Sequence, residues 1–171
     1  MSERREMHNW YAVYVRSRHE FKIEKELSGK GITMFLPVVR MRRRWTDRKK
    51  MVEFPLFPGY LFAFIDKGSE EKKTVLRARG VVRYVCMRAG EPEPVAETQV
   101  NSLRKLIEND IRLDPYPYLK EGEKVRIRSG PLAGLEGILV RKEENCLLVL
   151  SVDILQKGAA LKIDASEVER F

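Results

Sequence analysis

Histidine and cysteine are scarce in this chain. Its 171 residues hold two of each, His8 and His19, Cys86 and Cys146. No Cys lies at ligand spacing from a His, so a zinc site of the usual kind is not available. A Gly-x-x-x-x-Gly-Lys phosphate loop is also missing. The carboxylates are scattered among basic residues. No catalytic residue, metal or other cofactor is expected, which excludes most enzyme classes and leaves a binding protein. The cysteines sit far apart in apolar runs, which predicts two buried free thiols and no disulfide. No apolar run approaches the roughly 20 residues of a membrane span. Residues 1–9 are polar and charged, unlike a signal peptide. The expectation is a soluble, cytoplasmic monomer with no membrane contact.

What the chain has in excess is positive charge. Its formal net charge is +8, which favours a polyanionic partner, either nucleic acid or an acidic protein surface. The excess is uneven. Residues 1–119 carry 24 Lys and Arg against 16 Asp and Glu, whereas residues 120–171 carry nine of each. The basic signal belongs to the N-terminal part alone.

That part is organised around Pro55-Leu56-Phe57-Pro58-Gly59-Tyr60-Leu61-Phe62-Ala63-Phe64-Ile65. The two prolines push Phe54 and Phe57 out of the helical region, and Gly59 permits a tight bend. From Tyr60 both alternating sets are apolar or aromatic, so both faces of the strand need cover. Ahead of it, residues 10–15 read as a strand. Ser17 and Glu20 read as a capping box for a helix to about Lys30, with Phe21, Glu24 and Leu27 on one face. Residues 33–45 read as one long strand, Thr46-Asp47 as a hairpin tip, and residues 49–54 as the returning strand. Ser69 caps a helix to about Arg79, residues 81–87 form a strand, and Gly90 to Val95 form an edge segment. Residues 97–109 are an amphipathic helix with Val100, Leu103, Leu106 and Ile107 on one side. Strands and helices alternate without long parallel crossovers, which predicts the α+β class: an antiparallel sheet flanked by helices over residues 9–109.

Residues 110–120, with Pro115 and Pro117, read as a semi-extended linker. Residues 121–171 carry short alternating strands with turns between them, which predicts a small SH3-like β-barrel. Its alternating apolar set is Val125, Ile127, Ile138, Val140, Leu148 and Leu150.

Two motifs now come together. Phe57-Pro58-Gly59-Tyr60, after a strand, a helix and a hairpin, resembles the N-terminal domain of NusG-type transcription elongation factors. Gly122, Val125, Ile127, Gly130, Pro131, Gly134 and Gly137 follow the spacing of their KOW motif. The resemblance covers about residues 9–171. The wording Phe35-Leu36-Pro37 and Arg43-Arg44-Trp45-Thr46-Asp47 is similar to the UpxY-like branch, with RfaH a more distant cousin. That branch antiterminates within particular long operons. Two rival readings stay open: the general elongation and termination factor of the same family, and a ribosome-associated RNA-binding protein of the KOW type.

The resemblance implies that Trp10, Tyr14, Phe57, Pro58 and Tyr60 help form a surface that grips the clamp helices of RNA polymerase. Aromatic anchors suit such an interface. Core packing is the competing reading, preferred for Trp10, Phe62 and Phe64. The interface is preferred for Tyr14, Phe57 and Pro58. The hairpin cations Arg40, Arg42, Arg43, Arg44, Arg48, Lys49 and Lys50, with Trp45 among them, suit phosphate contact and base stacking on non-template or upstream DNA. Arg16, Arg18 and Lys22 form a further nucleic-acid set at a helix start, weighed evenly against ordinary surface charge. Gly130, Gly134 and Gly137 are explained by tight turns. Through its barrel the family binds a ribosomal protein, the termination factor Rho or RNA. Arg126, Arg128, Arg141 and Lys142 are candidates for RNA. The strong strand pattern predicts a permanent barrel and not a helical switch.

Overall fold

The first sheet is built about β1 (His8–Val15), a run of β-branched and aromatic residues with apolar side chains on both faces. The chain is described here by a computed structural model covering residues 7–45, 48–86, 91–142 and 145–171, with backbone alone for 41–45, 48–50 and 142. The elements that follow β1 are α1 (Glu20–Gly29), β2 (Thr33–Phe35), β3 (Val38–Trp45), β4 (Arg48–Pro55), β5 (Tyr60–Asp66), α2 (Glu70–Arg77), β6 (Val81–Tyr84), β7 (Pro94–Val95) and α3 (Glu97–Glu108). The C-terminal strands are β8 (Asp114–Pro117), β9 (Glu123–Ile127), β10 (Glu136–Lys142), β11 (Asn145–Val152), β12 (Lys157–Ile163) and β13 (Val168–Arg170). Among the described residues all strand ladders in the three sheets are antiparallel, and the helices are few, so the α+β class holds.

The chain divides into two compact units, Met1–Pro37 with Phe57–Glu97, and Val38–Leu56 with Thr98–Phe171. In the first, the sheet order is β2-β5-β1-β6, with β7 also on β1. Tyr11, Val13 and Val15 of β1 and Leu61, Ala63 and Ile65 of β5 face Ile23 and Leu27 of α1 and Val75 of α2 in one apolar core. The other face is aromatic. Trp10 lies 5.1 Å from Phe64 and 6.3 Å from Phe35, and Phe35 stacks on Phe62 at 6.0 Å, between ring centroids.

Several expectations change in this unit. The residue preceding α1 is His19, which makes no side-chain cap bond, so Ser17 and Glu20 form no capping box. The buried face of α1 is Glu20, Ile23 and Leu27, and Phe21 is 43% exposed. The long strand expected over 33–45 is broken at Leu36-Pro37: β2 joins the main sheet, while β3 pairs with β4 alone. Pro37 has no ladder donor and bars Leu36 from helical geometry, which ends one strand and redirects the chain. Ser69 does cap α2, its hydroxyl accepting from Glu71 N at 3.2 Å.

In the second unit, β3 and β4 pair from Val38↔Pro55 to Trp45↔Arg48; the expected tip at Thr46-Asp47 lies outside the described residues. The barrel sheet runs β13-β9-β10-β11-β12-β8. β8 lies inside the segment expected to be a linker, and it pairs with β12 from Asp114↔Ala160 to Pro117↔Lys157. Residues two apart in a strand turn their amides to the same side, so Asp114 and Tyr116 supply the ladder donors. Pro115 and Pro117 are tolerated because β8 is the last strand of the sheet. The segment is held further by Ser151, whose hydroxyl donates to Leu119 O at 2.8 Å. α3 is tied to the barrel by Lys105 Nζ, which donates to Ala133 O at 2.7 Å, and by Gln99 Nε2, which donates to Asp153 Oδ2 at 2.9 Å. This partition by compactness groups most of α3 and the hairpin with the barrel, so it cuts the chain elsewhere than the 9–109 and 121–171 limits. Those limits concern independent folding and stand as a proposal.

Both cysteines are free and half-buried, more open than expected. Among the described residues no helix is long and apolar enough to cross a membrane.

Candidate functional site

The site forms where the aromatic face of the first sheet reaches its end. Phe57 to Tyr60 make a β-turn: Tyr60 N donates to Phe57 O at 3.0 Å. Pro58 at the second position and Gly59 at the third, with φ +85°, are the type II signature. The turn is fastened on both sides. Gly59 O accepts from Val15 N at 2.9 Å, and Gly59 N donates to Glu20 Oε1 at 2.8 Å. A Cβ on Gly59 would lie 3.2 Å from Tyr14 Cε2, so glycine also lets the Tyr14 ring rest directly on the turn. Tyr14 pairs with Tyr60 across the strands, and the two rings lie 5.3 Å apart. The Arg83 guanidinium sits 5.6 Å from the Tyr14 ring centroid. Tyr14 and Tyr60 are half-buried and Pro58 is exposed, which makes a ledge of two rings and a proline beside a cation.

One preferred ledge residue is corrected: Phe57 is 1% exposed and does not reach the surface. Trp10, also a candidate for the ledge, is 5% exposed and takes the core packing preferred for it. Pro58 takes the outer corner of the turn, and the Phe57 ring is left to turn inward.

Arg16, Arg18 and Lys22 are all exposed, and Arg16 directly follows Val15, whose N–H holds the turn. Arg18 has φ +65°, a left-handed conformation uncommon for arginine. The structure adds two cations that sequence reasoning missed. Arg16 N donates to Gly80 O at 2.9 Å, which brings Arg79 to the same end of the sheet, and Arg83 pairs with Tyr14. The run Arg77-x-Arg79-Gly80-x-x-Arg83 was a visible signal, but nothing local tied it to β1.

A family model described as transcription termination factor nusG matches residues 8–104. The chain belongs to the NusG family. Curated NusG relatives align nearly end to end. The transcription termination/antitermination protein NusG of Borreliella burgdorferi is 24% identical over 95% of this chain and 98% of its own length. That of Campylobacter jejuni is 25% identical over 96% of this chain and 98% of its own length. A solved structure concerned with domain interaction in Thermotoga maritima NusG superposes with a TM-score of 0.58. It covers 98% of this chain and 99% of that one at 21% identity, which speaks to the fold alone.

The remaining residues singled out in this NusG-family chain fall as follows. Arg40 is exposed and its Nε lies 3.3 Å from Glu53 Oε1. The side chains of Arg42, Arg43, Arg44, Trp45, Arg48, Lys49 and Lys50 lie outside the described residues. Their backbone register puts Arg42 opposite Met51, Arg43 opposite Lys50, Arg44 opposite Lys49 and Trp45 opposite Arg48. In the KOW stretch Val125 and Ile127 are buried core. Ile127 N donates to Leu135 O, and Gly134 N to Ile127 O, both at 2.9 Å, closing the loop that carries Pro131. Gly130 and Gly134 take φ +81° and +82°, and Gly122 takes φ +146°. Gly137 differs: a Cβ there would lie 2.7 Å from Val149 O, so close strand approach, and not a turn, requires it. Of the barrel cations, Arg126 Nε donates to Glu136 Oε1 at 3.0 Å, and Arg141 donates to Glu123 Oε1 at 3.4 Å. Both are matched by carboxylates. Among the described residues no cluster of His, Cys, Asp or Glu could hold a metal ion.

Proposed function

We propose that this chain is a non-enzymatic transcription factor that holds RNA polymerase through the Tyr14–Pro58–Tyr60 ledge. NusG-family proteins are termination and antitermination factors that work on RNA polymerase. The single observation that supports the assignment of the surface is the half-buried Tyr14–Tyr60 pair, kept open by the Phe57–Tyr60 turn. Rings presented this way can desolvate against apolar partner helices such as those of the polymerase clamp. Arg16, Arg18, Lys22, Arg79 and Arg83 then face the non-template strand or the upstream duplex. The basic hairpin of β3 and β4 supplies further cations for DNA. Residues 9–109 serve as the polymerase module, and residues 121–171 recruit a second partner. A ribosomal protein or Rho suits a barrel of zero net charge with Arg126 and Arg141 already paired better than nascent RNA does.

The wording of the hairpin supports action on particular operons. A second reading, the general factor acting on nearly all genes, is supported by the end-to-end alignment with curated NusG proteins. An occupancy map along the genome separates them: few operons for the specialised role, nearly all transcribed genes for the general one. The polymerase assignment is tested with purified core enzyme after RNase treatment. Tyr14→Ala is expected to weaken binding by about 1–3 kcal/mol with circular dichroism unchanged. Unaltered affinity would move the contact elsewhere.

A further inference from the structure

Glu20 is the charged residue that is buried among the described residues, 3% exposed. A carboxylate is unfavourable in such a place unless hydrogen-bonded, and an apolar side chain would fill the space with less penalty. Its placement therefore needs a reason besides packing. Its Oε1 accepts from Gly59 N at 2.8 Å, from 39 residues further along the chain. That N–H belongs to the central peptide of the Phe57–Tyr60 turn. Type I and type II turns differ by a flip of this peptide. In the type II form seen here, with Gly59 at φ +85°, the N–H meets the carboxylate. In the flipped form the Pro58 carbonyl oxygen would face Glu20 instead, oxygen against oxygen.

We infer that Glu20 is a positioning residue for the partner surface: it selects the type II turn and so fixes the Gly59 surface on which Tyr14 rests beside Pro58 and Tyr60. The inference rests on the polymerase-binding reading above. The ledge is mechanically coupled to the turn. Tyr14 lies on Gly59, with 3.2 Å from its Cε2 to the position of a Gly59 Cβ, and Tyr60 N closes the same turn. Reorienting this peptide changes the conformation of Gly59, and with it the surface on which the Tyr14 ring of the Tyr14–Tyr60 pair rests.

The test uses the full chain and core RNA polymerase. Glu20→Leu fills the site without an acceptor, Glu20→Gln keeps an oxygen that accepts from Gly59, and Leu27→Ala is a destabilised control from the same helix and core. Binding, thermal unfolding and hydrogen exchange of the Gly59 amide are measured where each variant is folded. Glu20→Leu is expected to bind about tenfold or more weakly, with faster exchange at Gly59. Glu20→Gln is expected within about threefold of the parent. Leu27→Ala is expected to unfold at lower temperature yet bind like the parent. Parent-like affinity of Glu20→Leu, or an equal loss in Leu27→Ala, overturns the inference. Should Glu20→Leu not fold, loss of binding by a folded Glu20→Gln overturns it, and retained binding supports it. A parent chain that ignores polymerase refutes the reading itself and this inference with it, a pattern distinct from a variant-specific failure.

Discussion

Phe57→Ala removes a ring that is 1% exposed, and large-to-small changes at such aromatic positions cost about 3–5 kcal/mol. The expected outcome is a lower urea midpoint before any effect on partners. A variant as stable as the parent would return Phe57 to the surface. Arg79 and Arg83 make a separate test. If they touch single-stranded DNA, each change to Ala is expected to reduce the slope of log K against log salt by about 0.7. An unchanged slope would leave them as ordinary surface charge. At this scale the sequence was legible where chemistry is local. The Pro58-Gly59 pair announced its turn, and Tyr14 and Tyr60 could each be placed on a strand, though not on paired ones. Burial was harder to read. Phe21 and Phe57 look alike in sequence, yet one lies outward on α1 and the other inward, because each direction depends on where the helix or the turn is set down. Glu20 was read as half of a capping box because its acceptor role depends on a glycine far along the chain.

Elements were legible where they carry their own punctuation. Ser69 capped α2, and Glu97 to Glu108 formed the amphipathic helix with Val100, Leu103 and Leu106 buried. Pro37 was a break that the run of apolar residues concealed. The strand β8 was hidden for the opposite reason: two prolines suggested a tether, and only the position at the end of the sheet makes them compatible with pairing. An ion-paired carboxylate in the barrel sheet predicts an acid response. Glu123 accepts from Arg170 Nε at 2.6 Å, joining β9 to β13, and receives Arg141 of β10 as well. The hydrogen bond from Arg170, more than that from Arg141, holds the Glu123 carboxyl below its ordinary value of 4.5, against a smaller effect of desolvation. A depressed carboxyl stabilises the folded state above its unfolded value, and that contribution is lost as pH falls through the lower folded value. The urea midpoint of the chain is expected to fall on acidification below about 4.5, and Glu123→Gln to flatten that limb. An identical acid limb in the variant would show that other carboxylates govern it.

As a whole, the molecule is a NusG-family protein with an α+β fold, and its family could be read from two short motifs in the right order. How the elements group could not. The hairpin and most of α3 cluster with the barrel, through contacts such as Lys105 to Ala133 that no periodicity encodes. The basic N-terminal excess was visible in composition, while the set of side chains that share one end of the first sheet needed the pairing of β1 with β6.

The proline pair in β8 reaches beyond the fold of one chain. Its outward rim lacks an amide hydrogen at positions 115 and 117, so a stray strand from a neighbouring molecule meets no donor there. That edge is thereby shielded from edge-to-edge stacking. Replacing Pro115 and Pro117 together with Thr is expected to leave the barrel paired yet raise light scattering in concentrated solution. Clear solutions of that double variant would mean the rim is guarded by something else.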